Sequence, residues 1–460
     1  MFTSLQDATP LNESEHKQLN NFFYSDFFPI IIGLLAIFCY KFDCALIGFC
    51  IVILFAIIIF ITLEDVTPII PLLMMVLSLF RTLDLFISIW IYIPCVLALF
   101  AIITHFILFP IKKLEKGKLY IPLIIVSVAL FLGGIFSPYL YTYPLGLASR
   151  IATGPVMLIV YFFFSNYIKP PKGFDIKRYI CLCLVIVGLV CSLELSIYND
   201  LIELKDPSVN AHTIGWNNSN GVASIILLSI PAGFYLLIKD RALILHTLLI
   251  ALLYLGLAIS YSDGCLAIGI VSFPILCYFA FINVDNKMRP KLLIAFLCFL
   301  IALLIALTKI NINEIIEKIK EQFISDHGRS ELYLEAINHF INNPIFGIGF
   351  GYTPEDTTMF TSVIVAYNYH STFFHVIATM GIVGLFAYIY YFVARYKILL
   401  KDFNAFNIFA YLSFSLMEVY GFIDCCEFNI MPLLIIATLL LIVVEKNNNT
   451  LKTLPLKALI

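Results

Sequence analysis

The sequence predicts an all-α, polytopic membrane protein with about 12–14 transmembrane helices and one long extracytoplasmic helical loop. Three observations support this fold class. The 460-residue chain is 61% hydrophobic and only 13% charged, whereas a soluble domain is nearer half apolar and a quarter charged. Its apolar runs are repeatedly about 18–25 residues long, which is enough to cross a hydrocarbon core about 30 Å thick. The runs do not alternate in polarity, which argues against a barrel of β-strands.

Apolar runs separated by short polar loops place the spans in order along the chain. They are expected at 22–40, 44–62, 66–80, 86–109, 119–137, 142–166, 179–197, 218–238, 243–261, 265–283, 291–308, 368–394, 403–422 and 428–444. The weakest is 66–80, because it is short and contains Pro68 and Pro71. A re-entrant course there would move the N-terminus to the other side of the membrane. The expected parts are a polar tail (1–21), an N-terminal bundle (22–308), a loop with two helices (309–367), three C-terminal spans (368–445) and a cytoplasmic tail (446–460).

Lysine and arginine in the short loops predict the orientation, since such loops stay in the cytoplasm. The basic loops are 112–118, 169–178, 239–241, 287–291 and 395–401. Even numbers of spans separate them, so all lie on the cytoplasmic face, and the C-terminus lies there too. The opposite face receives the 309–367 loop and the shorter segments 198–217, 261–264 and 423–427.

Composition also predicts what the protein lacks. The net charge of −2 offers no basic surface for nucleic acid. Residues 1–21 are polar and mixed in charge, which does not fit a cleavable signal peptide. The 12 cysteines lie mostly inside spans and no CxxC occurs. We therefore predict no disulfide framework and no metal site.

The long loop contains the first candidate for catalysis. The stretch 312–323 is amphipathic and is expected to lie along the membrane surface. A second helix is predicted from Arg329 to Asn343, where Pro344 stops it. A guanidinium at this helix N-terminus adds its donors to free backbone N–H groups, which favours binding of a phosphate or diphosphate. The alternative is a surface arginine paired with a nearby carboxylate, and local spacing does not choose between the two.

His370 begins the next span and is the second candidate. A histidine at a membrane mouth that faces a water-filled cleft can accept a proton near neutral pH. The alternative is an interfacial histidine that only hydrogen-bonds. Asp424 and Glu427, in the last outside loop, are candidates for the same cavity. Between the two parts lies Pro344–Gly351, whose three glycines let the backbone turn closely against a neighbour.

Four further residues are candidates for substrate binding. Asn218 and Asn220 stand at the mouth of a span, where amides can hydrogen-bond sugar hydroxyls, although a helix cap is the commoner role. Asp263 lies in a tight turn between two spans, where local pattern favours a simple turn residue over a binding role. Arg150 lies inside span 142–166, and a charge within a membrane helix marks a functional candidate. It is suited to a lipid phosphate or to a buried acid such as Glu194.

The combined pattern resembles the O-antigen ligase / O-antigen polymerase superfamily. The pieces are Gly328-Arg329, an amphipathic helix, the segment Asn343–Gly351, and His370 eleven residues before Gly381-Ile382-Val383-Gly384. Asn218-Ser219-Asn220 is similar to the Asn-Pro-Asn with which the family enters a span. The resemblance covers about residues 210–445, and the preceding part is similar only in consisting of spans.

The resemblance implies a GT-C-type, metal-independent membrane glycosyltransferase. It would polymerise or ligate undecaprenyl-diphosphate-linked oligosaccharides, for O-antigen, capsule or another surface polysaccharide, on the outer face of the bacterial cytoplasmic membrane. The implied partners are this donor, a glycan or lipid acceptor, the bilayer and proteins of polysaccharide export, with no cofactor. Arg329 corresponds to the loop arginine that grips the diphosphate, and His370 to the family's essential histidine.

Two departures from the family pattern affect the interpretation. Ligases have Ser-Arg where this chain has Ser262-Asp263, and their His-Asn is here His370-Ser371. Because an acid does not bind a diphosphate, either Arg150 supplies the missing charge or the acceptor differs. The change favours a polymerase, or a ligase for another surface polymer. A transporter or flippase of lipid-linked glycans is the alternative from another class, and it predicts charges along a path through the bundle.

Overall fold

The fold is taken from a computed structural model that describes residues 19–80, 89–111, 114–138, 140–141, 144–201, 219–240, 242–297, 329–351, 368–428 and 431–453. Within these residues the regular structure is helical and no strand occurs. Seven of the described helices are long and apolar enough to cross a membrane, and five more are apolar but shorter. The predicted class, an all-α multi-pass membrane protein, is confirmed.

The helices follow the predicted spans closely. In chain order they are α1 (Phe27–Phe42), α2 (Ala45–Thr62), α3 (Ile69–Met75), α4 (Ile89–Leu108), α5 (Tyr120–Ile135), α6 (Pro144–Tyr167), α7 (Ile176–Leu201), α8 (Ser219–Lys239), α9 (Leu243–Ile259), α10 (Asp263–Asn283), α11 (Arg329–Asn342), α12 (Thr372–Leu399), α13 (Ala405–Gly421) and α14 (Met431–Thr453). A helical segment at 289–297 falls in the predicted span 291–308 and continues to the edge of the described range.

Helix ends differ from the predicted bounds where polar residues continue a helix. The first span starts later than expected, because the chain turns at 24–26 before α1. Helix α7 runs to Leu201 and α14 to Thr453, past the apolar runs that were used to predict their ends. The predicted surface helix at 312–323 and Asn218 lie outside the described residues.

The short span predicted at 66–80 runs alongside α2 in the opposite direction, from the end of α2 back to its beginning. It consists of α3 and a 3-10 turn, Val76–Leu79. Near its start the Asp65 carboxylate, just beyond the end of α2, accepts a 2.6 Å hydrogen bond from the Lys169 amide. At its end Phe80 packs 5.7 Å from Phe49, near the beginning of α2. The segment therefore does not turn back, which removes the re-entrant alternative.

Ion pairs among the predicted cytoplasmic loops define one end of the bundle, which we call the basic end. Arg178 lies 2.6 Å from Asp240, and Lys169 lies 2.8 Å from Glu64. Lys446 near the end of α14 lies 4.0 Å from Glu115. Three of the five basic loops, 112–118, 169–178 and 239–241, thus gather on one side, as expected if these loops face the cytoplasm.

The glycine-rich segment Pro344–Gly351 packs along a break in α12. The amide of Ile348 donates to the carbonyl of Ala378 at 2.9 Å, and the amide of Gly349 donates to that of Thr379 at 3.1 Å. Those two carbonyls precede Gly381, where the backbone leaves helical geometry with φ 61° and ψ −150°. The segment therefore satisfies polar groups that the kink releases from the helix.

Glycine is required on both sides of this contact. A Cβ at Gly381 would lie 2.5 Å from the carbonyl oxygen of Ile345, and one at Gly347 would lie 2.5 Å from that of Ala378. Both glycines also have positive φ. The predicted close approach of the backbone is therefore present, and it fixes α11 and the following segment against the first part of α12.

We expect Gly381→Ala to lower the stability of the folded protein by at least about 2 kcal/mol, because the backbone conformation is nearly exclusive to glycine and the new methyl group clashes. Thermal unfolding of the purified protein in detergent measures this. Gly173→Ala is the matched control, since Gly173 also has positive φ but has open space around its Cβ. An equal loss in both variants would mean that packing against Ile345 contributes nothing.

Candidate active site

His370 and Asp424 meet at the end of the bundle opposite the basic end. His370 lies two residues before α12, and Asp424 lies in the turn after α13. The Nδ1 atom of His370 is 3.3 Å from Oδ1 of Asp424, with 37% of the histidine side chain and 14% of the aspartate side chain exposed. A carboxylate beside Nδ1 favours the tautomer that carries its proton there. Nε2 is then the atom that can accept a proton from a substrate.

Backbone strain accompanies this arrangement. His370 has φ 46°, in the left-handed region that residues other than glycine rarely adopt. Strain of this kind costs on the order of 1–3 kcal/mol and persists where the surroundings over-determine the conformation. Here Tyr333 of α11 contributes, since its hydroxyl donates to the His370 carbonyl at 3.1 Å.

Asp424 is the centre of a hydrogen-bond network. Its Oδ2 accepts from Nδ2 of Asn220 at 2.8 Å and from the hydroxyl of Tyr420 at 3.3 Å. Its Oδ1 accepts from the amide of Cys425 at 2.7 Å. Burial acts to raise the pKa of Asp424, but His370 and these donors outweigh burial and hold the pKa below its ordinary value. The residue is therefore a carboxylate at neutral pH, fixed in one orientation.

The start of α10 joins the network through a serine. Ser262 Oγ lies 3.2 Å from the hydroxyl of Tyr420. A Cβ at Gly264 would lie 3.1 Å from the Tyr420 ring, so α10 and α13 are in close contact here. Asp263, predicted to bind substrate, is an exposed residue beside Ser262. The turn was correctly identified, but Ser262 is the residue that reaches the network.

The first turn of α11 also lies beside His370. Tyr333, which bonds the His370 carbonyl, also stacks on Phe374 of α12 with ring centroids 4.4 Å apart. Arg329 begins α11, one turn before Tyr333, and is half-buried. Residues four apart on a helix are separated by about 6 Å along its axis. The arginine and the histidine that the sequence singled out therefore lie on one side of the bundle.

Arg150 approaches the cluster from α6. Its positive charge acts on His375 of α12 and on Cys425, the neighbour of Asp424. Neither oxygen of the buried Glu194 carboxyl has a hydrogen-bond partner among the described residues, so Arg150 does not bond to it.

Of the residues singled out from the sequence, His370 and Asn220 both contact Asp424, but sequence reasoning did not identify the residues that join them. Asp424 was a minor candidate, Ser262 was noted only as part of the family's turn, and Tyr420 gave no signal. No cluster of His, Cys, Asp or Glu suited to a metal ion occurs in the part of the chain that the structure describes. The arrangement sets the His370 imidazole beside a carboxylate, with Arg329 one turn before the tyrosine that bonds the His370 carbonyl.

Comparison with known proteins relates part of the chain to a known family. Residues 247–389 match the family model described as O-antigen ligase. No curated protein matches the chain. The matched segment includes Asp263, Arg329 and His370, whereas Arg150, Asn220 and Asp424 lie outside it. Through residues 247–389 the chain is similar to the O-antigen ligase family, and this match supports a membrane glycan ligase or polymerase.

Proposed function

We propose that the protein is a metal-independent glycosyltransferase that polymerises or ligates undecaprenyl-diphosphate-linked oligosaccharides on the outer face of the cytoplasmic membrane. The observation that carries this proposal is the contact between His370 and Asp424, since it sets a histidine at the mouth of a span against a carboxylate that orients it. The family match is to enzymes, which favours an enzyme over the transporter alternative.

In the proposed reaction each of the four side chains, His370, Asp424, Arg329 and Arg150, has one role. The acceptor hydroxyl gives its proton to Nε2 of His370 as its oxygen attacks the anomeric carbon of the donor. The bond from that carbon to the diphosphate breaks, and the departing undecaprenyl diphosphate keeps the electron pair. Arg329 and Arg150 stabilise the charge that grows on this leaving group. Asp424 stabilises the imidazolium that forms on His370.

The position of the site supports the outer face. His370 and Asp424 belong to the end opposite the basic end, and basic loops stay in the cytoplasm. A lipid-linked donor suits this position, because its polyprenyl chain remains in the bilayer while the diphosphate lies at the membrane surface. The half-buried Arg150 is six residues from the start of α6, about 9 Å along the helix, which is a suitable depth for a phosphate at that surface.

Two exposed aromatic rings border the network and suit a glycan. Tyr261, 65% exposed, precedes Ser262, and Phe422, 66% exposed, lies between Tyr420 and Asp424. Such rings offer flat apolar faces beside hydrogen-bonding groups. We assign them, with Asn220, to the sugars next to the bond that is made.

The proposal is tested by transfer in vitro. The substrate is lipid-linked glycan extracted from cells that lack the protein, and gel electrophoresis separates longer or transferred products. We expect the purified protein to form product and to keep its rate in the presence of a chelator. Absence of product, or a requirement for added divalent metal, would contradict the proposal.

In this assay we expect Arg329→Ala to lower the transfer rate by about 10²-fold, because one donor to the leaving group is lost. Arg329→Lys should recover part of the rate, since it keeps the charge without the planar fork. Arg289→Ala is the matched control: this arginine, half-buried like Arg329, lies away from the site and donates to the carbonyl of Phe281. A wild-type rate in Arg329→Ala at equal protein level would remove Arg329 from the mechanism.

A further inference from the structure

The segment Asp424–Phe428, which carries the carboxylate of the site, is tied to α12 by one hydroxyl group. Thr372 Oγ1 accepts hydrogen bonds from the amides of Cys426 at 3.2 Å and Glu427 at 3.4 Å. Thr372 lies two residues after His370, and Cys426 lies two residues after Asp424. This hydroxyl therefore links the backbone segment that carries His370 to the one that carries Asp424.

A buried ion pair ties down the other end of the segment. Arg395 of α12 is fully buried and pairs with Glu427, which is 1% exposed, and with Glu418 of α13, which is 8% exposed. The guanidinium also lies 4.8 Å from the centre of the Tyr391 ring. Phe428 follows with φ 61°, so the chain turns sharply directly after the anchored glutamate.

A buried ion pair of this kind need not stabilise the fold. Replacing a buried ion pair by well-packed apolar residues is often neutral or stabilising, because the desolvation penalty disappears. What the pair does provide is a fixed position for the backbone of Glu427. Since Asp424 is three residues away and already 3.3 Å from His370, a small shift of the segment breaks that contact.

We propose that Thr372 and Arg395 are positioning residues for the transfer reaction: together they hold the segment 424–428 so that Asp424 faces Nδ1 of His370. This inference rests on the proposed function. Neither residue touches the substrate in this scheme, and both act through Asp424. A displacement of about 1 Å at a catalytic group can cost on the order of 10²-fold in rate.

The first test uses variants of Thr372 with the extracted lipid-linked glycan as substrate. We expect Thr372→Val, which keeps the shape but loses the acceptor, to lower kcat by about 10- to 100-fold while the donor KM changes little. Thr372→Ser restores the acceptor and should restore the rate. Thr379→Val is the matched control, since Thr379 is equally buried in α12 but its hydroxyl bonds only the His375 carbonyl. Equal rates in Thr372→Val and Thr379→Val would overturn the inference.

The second test separates the two acids that share Arg395. Glu427→Gln is expected to lower kcat more than Glu418→Gln, because only Glu427 belongs to the segment with Asp424. Hydrogen exchange of the backbone at 424–428 should rise in Thr372→Val and Glu427→Gln and stay as in the wild type in Glu418→Gln. This readout needs no activity, and it decides the question where a variant is poorly active for another reason.

The outcomes distinguish the inference from the function on which it rests. An active wild type, an inactive His370→Ala variant, and normal rates in both Thr372→Val and Glu427→Gln would refute the positioning role alone. A wild type with no transfer would refute the proposed function. In that case unchanged exchange at 424–428 in the Thr372 and Glu427 variants would refute the positioning role as well, and raised exchange would support it.

Discussion

Asp424→Asn should lower the transfer rate by about 10³- to 10⁴-fold, the largest effect expected of any isosteric change in this protein. The amide keeps the volume of the carboxylate but does not stabilise the imidazolium, and its N–H₂ group can turn toward Nδ1 and select the wrong tautomer of His370. Initial rates with the extracted lipid-linked glycan measure the loss. Asp402→Asn, at a half-buried aspartate between α12 and α13, is the matched control.

The same prediction requires His370 and Asp424 to act as a unit. His370→Ala should lose as much as Asp424→Asn, and the double variant should lose little more than either, since groups that act together are strongly non-additive. Losses that multiply in the double variant would show that Asp424 works independently of the histidine. A wild-type rate in Asp424→Asn would exclude the pair from the reaction.

Stability gives a check on Asp424 that does not depend on activity. The folded state holds the pKa of this carboxyl below its ordinary value of 3.8. Its contribution to the free energy of unfolding is therefore fully present above that value, and it is lost as the pH falls through the lower folded-state pKa. The unfolding temperature of Asp424→Asn should thus lie below that of the wild type at pH 7, and the difference should shrink on acidification. A difference that is constant with pH would point to the geometry of the amide instead.

The sequence predicted those parts of the site that depend on local pattern. Apolar run lengths located the helices, and the regular glycines after Pro344 predicted a close backbone contact, which occurs at the kink around Gly381. His370 was recognisable because a titratable group opened a span. The kink itself was not predicted, because its released carbonyls are satisfied by a segment some thirty residues earlier in the chain, and single-sequence patterns do not report such pairings.

What remained unpredicted depends on packing between distant helices. Asp424 lies 54 residues from His370, and its alignment with Nδ1 depends on where α13 ends and how the next turn is anchored. Tyr420 looked like any aromatic residue in a span, although its hydroxyl joins α10 to Asp424. Arg395 was assigned to a basic loop, yet it is fully buried among acids, because a kinked α12 carries it beside α13. Charge patterns in loops do not reveal such burial.

Arg150 should be the second most sensitive position, with a loss of about 10²- to 10³-fold in Arg150→Met, which keeps the length of the side chain and removes its charge. The reasoning combines two findings. The family position at the start of α10 holds an exposed acid, Asp263, so it provides no cation. Arg150, from α6, is a cation whose charge reaches Cys425, the neighbour of Asp424 in the proposed catalytic pair.

Two further variants make this assignment specific. Arg150→Lys should keep the rate within about tenfold of the wild type, because a point charge partly replaces the planar fork. Asp263→Arg in the Arg150→Met background should recover part of the lost rate, since it restores a cation at the family's position and removes an acid. Arg289→Met controls for the loss of an arginine elsewhere. If Arg150→Met transfers glycan at the wild-type rate, the leaving diphosphate does not depend on α6, and Arg329 is then the only one of the two proposed cations left to stabilise it.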